Sequence, residues 1–155
     1  MGFKGRIEVL PNCIDVDAFI PQFGGEENSI GYFGRLSKEK GLVTLIKAVK
    51  GISGVRLKII GEGPIRPALE SLVSKEKVLN VDFLGYKGGG ELEDEIRSCR
   101  FLVLPSEWYE NNPRSVVEGF ALGKPVIGAN IGGIPELVRD SVTGLLFDAG
   151  NAQDL

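Results

Sequence analysis

The sequence contains no histidine. That absence removes the commonest general base, the Ser-His-Asp triad and the usual imidazole metal ligands, and most hydrolase readings end with it. Cysteine is nearly absent too. Cys13 and Cys99 lie far apart and form no C-x-x-C pair, so neither a zinc site nor a redox motif is indicated, and a reduced, cytosolic compartment fits. No apolar run approaches the roughly 20 residues needed to cross a bilayer. The opening Met1-Gly2-Phe3-Lys4-Gly5-Arg6 lacks the apolar core of a signal peptide. Positive charge is also in deficit, with 18 Lys and Arg against 21 Asp and Glu and a net charge of −3. This argues against a broad basic surface for nucleic acid or anionic lipid and leaves room only for a local cationic site.

What is present is a globular composition, 43% apolar and 25% charged over 155 residues, enough for one domain that needs no staples. Short β-branched or apolar runs alternate with glycine turns and segments of helical period, the pattern of β-α-β units. Strands are expected at Arg6–Leu10, Ser29–Phe33, Val55–Ile60, Val81–Leu84, Phe101–Leu104, Val126–Ile127 and Gly144–Phe147. Helices are expected at Lys40–Lys50, Pro67–Ser74, Glu91–Cys99, Pro113–Leu122, within Gly132–Val138, and from Asn151 until Leu155 cuts it short. In the first of these, Leu42, Leu45, Ile46 and Val49 share one face. The alternation predicts a parallel sheet covered by helices on both faces. Ligands of such sheets bind at the carboxyl ends of the strands, so the loops after Phe33, Ile60, Leu84 and Leu104 share the rim where chemistry is expected.

Three constellations fall on that rim. The turn Gly34-Arg35-Leu36-Ser37-Lys38-Glu39-Lys40-Gly41 sets Arg35 and Lys40 near a helix N-terminus, where dipole and free amides favour an anion. A forked guanidinium with a compact ammonium suits a diphosphate, although a merely solvated basic loop accounts for the spacing equally well. Glu110-Asn111-Asn112-Pro113-Arg114-Ser115-Val116-Val117-Glu118 places two carboxylates, seven residues apart, across a loop-to-helix junction. Glu118 there can accept from two vicinal hydroxyls, as ribose offers, or simply pair with Arg114 four residues earlier. The apolar neighbours Val116, Val117, Phe120 and Ala121 make an idle carboxylate costly at that position. The third, Asn130-Ile131-Gly132-Gly133-Ile134-Pro135-Glu136, reads as a plain turn when taken alone.

In order, these pieces resemble the C-terminal domain of family 4 glycosyltransferases, the retaining group with the GT-B fold. Matching segments run from Leu10-Pro11-Asn12-Cys13-Ile14-Asp15 through Gly34-Arg35-Leu36, Ile60-Gly61-Glu62-Gly63-Pro64, Phe83-Leu84-Gly85, the two-carboxylate motif and Ala121-Leu122-Gly123-Lys124-Pro125-Val126-Ile127 to Gly132-Gly133-Ile134-Pro135-Glu136. The resemblance implies an α/β, Rossmann-like three-layer sandwich with a parallel sheet, the C-terminal half of a GT-B fold. It implies that Arg35 and Lys40 grip the diphosphate of a nucleoside diphosphate sugar, that Glu118 holds the ribose and that Glu110, with Asn112, Arg114 and Ser115, lies against the transferred sugar and phosphate. The base is expected near Gly61-Glu62-Gly63 and Leu84-Gly85-Tyr86, with Gly34 beside the phosphates. Arg35, Lys40 and Glu110 are the candidate catalytic residues; no cofactor, metal, nucleic-acid partner or transmembrane segment is expected.

The resemblance further implies a missing N-terminal acceptor domain, so that this half alone binds donor without turnover; any membrane contact of the parent enzyme at the inner face is expected through that missing domain. Two departures stand out. Cys13 replaces a frequent glycine, and Asn112-Pro113 replaces a frequent Phe-Gly, with Pro113 unable to supply an amide N–H. Three rival functions remain open. A dinucleotide-dependent oxidoreductase needs G-x-G-x-x-G after its first strand, and Gly61-Glu62-Gly63-Pro64-Ile65-Arg66 fits only partly and follows the wrong strand. A GT-B nucleotide-sugar epimerase would turn over donor without acceptor, and a non-catalytic binding domain that kept the fold would turn over nothing.

Overall fold

The structure, a computed structural model, describes residues 5, 6, 8 and 10–155. The strand expected over Arg6–Leu10 falls partly outside that set. Six strands form one parallel sheet: β1 Ser29–Phe33, β2 Arg56–Ile60, β3 Val81–Gly85, β4 Phe101–Leu104, β5 Val126–Ala129 and β6 Gly144–Phe147, in the order β3-β2-β1-β4-β5-β6. The helices are α1 Leu42–Val49, α2 Arg66–Lys75, α3 Gly89–Ser98, α4 Arg114–Ala121 and α5 Ile134–Leu137, with short 3-10 turns at Val16–Ala18 and Lys38–Lys40.

Alternation along β1 divides the core. Ile30 and Tyr32 point to one face, where they meet Leu42, Leu45, Ile46 and Val49 of α1 and Leu69 of α2. Phe33 points to the other, toward Ile96 of α3, Val116 of α4 and Ile134 of α5. Gly31 is required on that second face, since a Cβ there would come within 2.9 Å of both Cys99 Sγ and Leu102 Cδ2. The result is the expected Rossmann-like three-layer sandwich.

Boundaries shift for local reasons. Helix α1 begins at Leu42 instead of Lys40 because Gly41 has φ 67°, a left-handed residue that ends the 3-10 turn before the helix starts. Helix α4 starts at Arg114, and Pro113 caps it from just outside. Strand β5 runs to Ala129, longer than expected, because Gly128 has no side chain to collide with Ile134, whose Cγ2 would lie 2.6 Å from an added Cβ. No helix follows Asn151; its Oδ1 accepts from the amides of Gln153 and Asp154 at 3.1 and 3.2 Å, a capping arrangement on a single turn.

Candidate functional site

The strand order reverses between β1 and β4, and in doubly wound sheets the crevice opens at the carboxyl ends of such a pair. The loops leaving β1 and β4 meet there. The β1 loop is fixed from beneath. Tyr32 Oη donates to the Arg35 carbonyl at 2.8 Å, and the Leu36 amide donates to the Glu62 carbonyl at 2.9 Å. Burial raises the Tyr32 phenol far above the usual tyrosine range, with the charges of Glu110 and Glu39 adding to it, so its proton stays in place for the Arg35 carbonyl. Gly61 is needed at the neighbouring turn: it has φ 139°, and an added Cβ would sit 1.9 Å from the Gly34 carbonyl oxygen.

The β4 loop is braced against the β1 loop. The Glu107 amide donates to the Glu39 carbonyl at 2.9 Å, and Thr44 Oγ1 donates to Glu107 Oε1 at 2.6 Å. Glu110 Oε1 accepts from Lys40 Nζ at 2.5 Å and from Ser106 Oγ at 2.8 Å. The Gly132-Gly133 turn closes the back of this loop. The Gly133 amide donates to the Glu110 carbonyl at 2.7 Å, and a Cβ at Gly133 would lie 1.9 Å from the Asn111 carbonyl oxygen. What reads as a plain turn in the sequence is therefore the seat of the Glu110 loop.

Between the two loops lies a cavity of about 470 Å³ lined by Tyr32, Phe33, Gly34, Arg35, Glu39, Lys40, Leu104, Ser115 and Glu118. Arg35 and Lys40 from one turn and Glu118 from a segment far along the sequence thus share one cavity. A second cavity of about 310 Å³ adjoins it through Phe33, Gly34 and Arg35 and is completed by Ile60, Gly61, Glu62, Tyr86, Lys87 and Leu92. Its walls are mostly apolar side chains and glycine backbone, with the charges of Arg35, Glu62 and Lys87 at the margin.

Other expected residues take different positions. Leu84 packs into the core beneath the rim, and Gly85 lies behind Glu62, whose Oε1 would be 3.4 Å from an added Cβ, so neither is among the residues that line these two cavities. Asn112 gives its carbonyl to Asn12 Nδ2 at 2.6 Å, while its own Oδ1 is buried without a partner among the described residues. Arg114 is largely exposed and donates to Glu118 Oε1 at 3.0 Å. Glu118 pairs with Arg114 and also faces the cavity, its side chain 20% exposed.

Sequence reasoning passed over Tyr32, Ser106 and Glu39. Tyr32 looks like one more core residue of a buried strand, and nothing in its spacing points to Arg35. Glu39 keeps its carboxyl below the usual range, chiefly through the hydrogen bond from Ser37, and so sets a negative charge beside the two cations. Among the described residues, no three or more Cys, Asp and Glu gather as a metal ion requires, and no helix is long and apolar enough to cross a membrane.

Residues 14–155 match the family described as Glycosyl transferases group 1. The chain belongs to this family. An uncharacterized glycosyltransferase of Methanocaldococcus jannaschii is 34% identical over 98% of the chain and 42% of its own length. A GDP-mannose-dependent alpha-mannosyltransferase of Corynebacterium glutamicum is 35% identical over 80% of the chain and 28% of its own length. The group 1 chain therefore spans well under half of these curated relatives. Among solved structures, Anabaena HepE in complex with UDP-glucose superposes with a TM-score of 0.83 at 25% identity, over 94% of this chain and 44% of that one. The group 1 fold seen here is thus the Rossmann-like fold found within GT-B glycosyltransferases.

Proposed function

We propose that the chain is the donor-binding half of a retaining hexosyltransferase that moves a glycosyl group from a nucleoside diphosphate sugar to an acceptor hydroxyl. The observation that carries this is the single cavity at the sheet's reversal point lined by Arg35, Lys40 and Glu118. In this reading the diphosphate lies between Arg35 and Lys40, and the ribose hydroxyls donate to Glu118. The base enters the adjoining apolar cavity beside Gly61, Glu62 and Tyr86. HepE holds UDP-glucose and the corynebacterial relative uses GDP-mannose, so donors of both kinds belong in the test.

Negative charge grows on the leaving diphosphate as the glycosyl bond breaks, and two fixed cations offset it without a metal or cofactor. Binding requires an exchange of partners. Lys40 begins on Glu110, and the arriving phosphate takes over that ammonium, leaving the Glu110 carboxylate to accept from hydroxyls of the transferred sugar. Pro113 supplies no amide N–H, so phosphate contacts in this segment come from Arg114 and Ser115. The acceptor site belongs to a separate N-terminal domain, and the chain alone binds donor without transferring it. Calorimetric titration with UDP-, GDP- and ADP-sugars tests the reading: one of them is expected to bind, and silence across the panel would refute it.

A further inference from the structure

The edge of the sheet opposite the cleft carries a second feature. The loops from α1 to β2 and from α2 to β3 run side by side at the amino ends of those strands and enclose a groove of about 330 Å³ lined by residues 50–54 and 77–80. Asn80 makes the groove rigid, its Nδ2 donating to the carbonyls of Val49, Ile52 and Val55 at 3.1, 3.2 and 3.0 Å. From this locked frame Leu79 protrudes with 88% of its surface exposed and Ile52 with 48%. Lys50 and Lys77 line the groove beside them, Lys47 and Lys75 stand exposed on the last turns of the helices that lead into it, and the one carboxylate in these two loops, Glu76, is bonded to Lys50 at 3.0 Å.

Two of the four lysines need no special account, because Lys47 and Lys75 occupy last helical turns, where the dipole favours cations. Lys77 does. Its amide donates to Ser74 and that of Val78 to Val73, which makes it the left-handed residue of a helix-terminating Schellman turn, with φ 53°. Glycine is the residue that fits this place; the turn after α1 has a different geometry, Lys50 extended and Gly51 left-handed at φ 88°, but it too places glycine at its left-handed position. A lysine there works against backbone stability and projects a charge beside Leu79.

We propose that this edge docks the chain on an anionic phospholipid surface. An exposed leucine and isoleucine flanked by lysines match the depth and charge of a headgroup layer, in which apolar side chains enter and cations meet phosphates. The patch is local, as an acidic chain requires, and it holds the cleft away from the membrane. Nucleic acid fits less well, since the groove offers no aromatic ring for a base to stack on.

The test is co-sedimentation of the chain with vesicles of phosphatidylcholine alone and with about a third phosphatidylglycerol. Binding to the anionic vesicles only, weakened by salt, is expected. Lys77→Gly is expected to raise the melting temperature while weakening vesicle binding about fivefold, a combination that a merely structural role cannot give. Leu79→Ser is expected to weaken vesicle binding with the fold unchanged. Equal or absent binding to the two vesicle types, or undiminished binding by Lys77→Gly, would overturn the proposal. So would a single-stranded oligonucleotide that bound with the same sensitivity to Lys77→Gly and none to Leu79→Ser.

Discussion

The ammonium of Lys40 lies 2.5 Å from Oε1 of Glu110, an oxygen that also accepts from Ser106. Both side chains are mostly buried, at 25% and 17% exposed, so the pair is held inside the site and is not a surface decoration. Without ligand, the cation assigned to the diphosphate is already neutralised by the carboxylate assigned to the sugar.

This pairing has an unusual consequence for Glu110→Gln. Removing the carboxylate frees Lys40 for phosphate, so affinity for the nucleoside diphosphate alone should rise severalfold, whereas the extra affinity contributed by the sugar should fall. Calorimetry with the diphosphate and with its sugar conjugate separates the two effects; parallel losses for both would contradict the exchange of partners.

Tyr32→Phe deletes one hydroxyl that supports the Arg35 turn from the buried side of the cavity wall. A net loss of about 1 kcal/mol in stability is expected from one buried hydrogen bond. Donor affinity should fall further than in a control substitution of equal stability cost in α2. Unaltered donor affinity would mean that the Arg35 turn holds its shape without the phenol.

Gly133→Ala should destabilise the chain by about 1–3 kcal/mol, as expected where a methyl group is forced into a packed contact. Its methyl would overlap the Asn111 carbonyl, so the Glu110 loop must move. Donor binding should weaken even at temperatures where the variant is fully folded, and circular dichroism beside calorimetry shows whether it does.

The α/β class and the positions of β1 and β4 were legible in the sequence because a strand buried on both faces writes a continuous apolar run, as Ser29–Phe33 and Phe101–Leu104 do. The cations and carboxylates were legible through their spacing around loop-to-helix junctions. The braces were not. Thr44 reaches Glu107 and Gly133 reaches Glu110 only because the sheet order brings β1, β4 and β5 side by side, and no local pattern encodes which loops will meet; Ser106 reaches Glu110 within one loop whose irregular path the spacing does not reveal. Leu84 and Gly85 sit off the two cavities for a related reason. The register shift between Ile59 and Ile60 pairs Ile60 with Gly85 and draws that turn behind Glu62.

Away from the cleft, Lys124 is 1% exposed and donates to Glu26 Oε1 at 3.0 Å, which ties the segment before β1 to the end of α4. The hydrogen bond from Lys124 is the main cause that holds the Glu26 carboxyl below its usual range, so the native state favours its ionised form. Its stabilisation is present above the ordinary glutamate range and is lost as pH falls through the lowered native value, where a buried ammonium is left unpaired. Wild type should therefore melt above Glu26→Gln at neutral pH, with the difference closing on acidification. A difference that stays constant with pH would show that Glu26 does not carry this pairing.

The most direct measurement is isothermal titration of the chain, and of its Arg35→Ala and Lys40→Ala variants, with the nucleoside diphosphate sugar it binds best. In the proposed site each cation makes a charged contact to the diphosphate, so each variant should lose about 10- to 100-fold in affinity; the melting temperature stays near that of the wild type for Arg35→Ala and falls for Lys40→Ala, which leaves Glu110 without its cation, so affinity is read where both variants are folded. Affinities unchanged in both variants would contradict the assignment of the cavity between β1 and β4 as the diphosphate site.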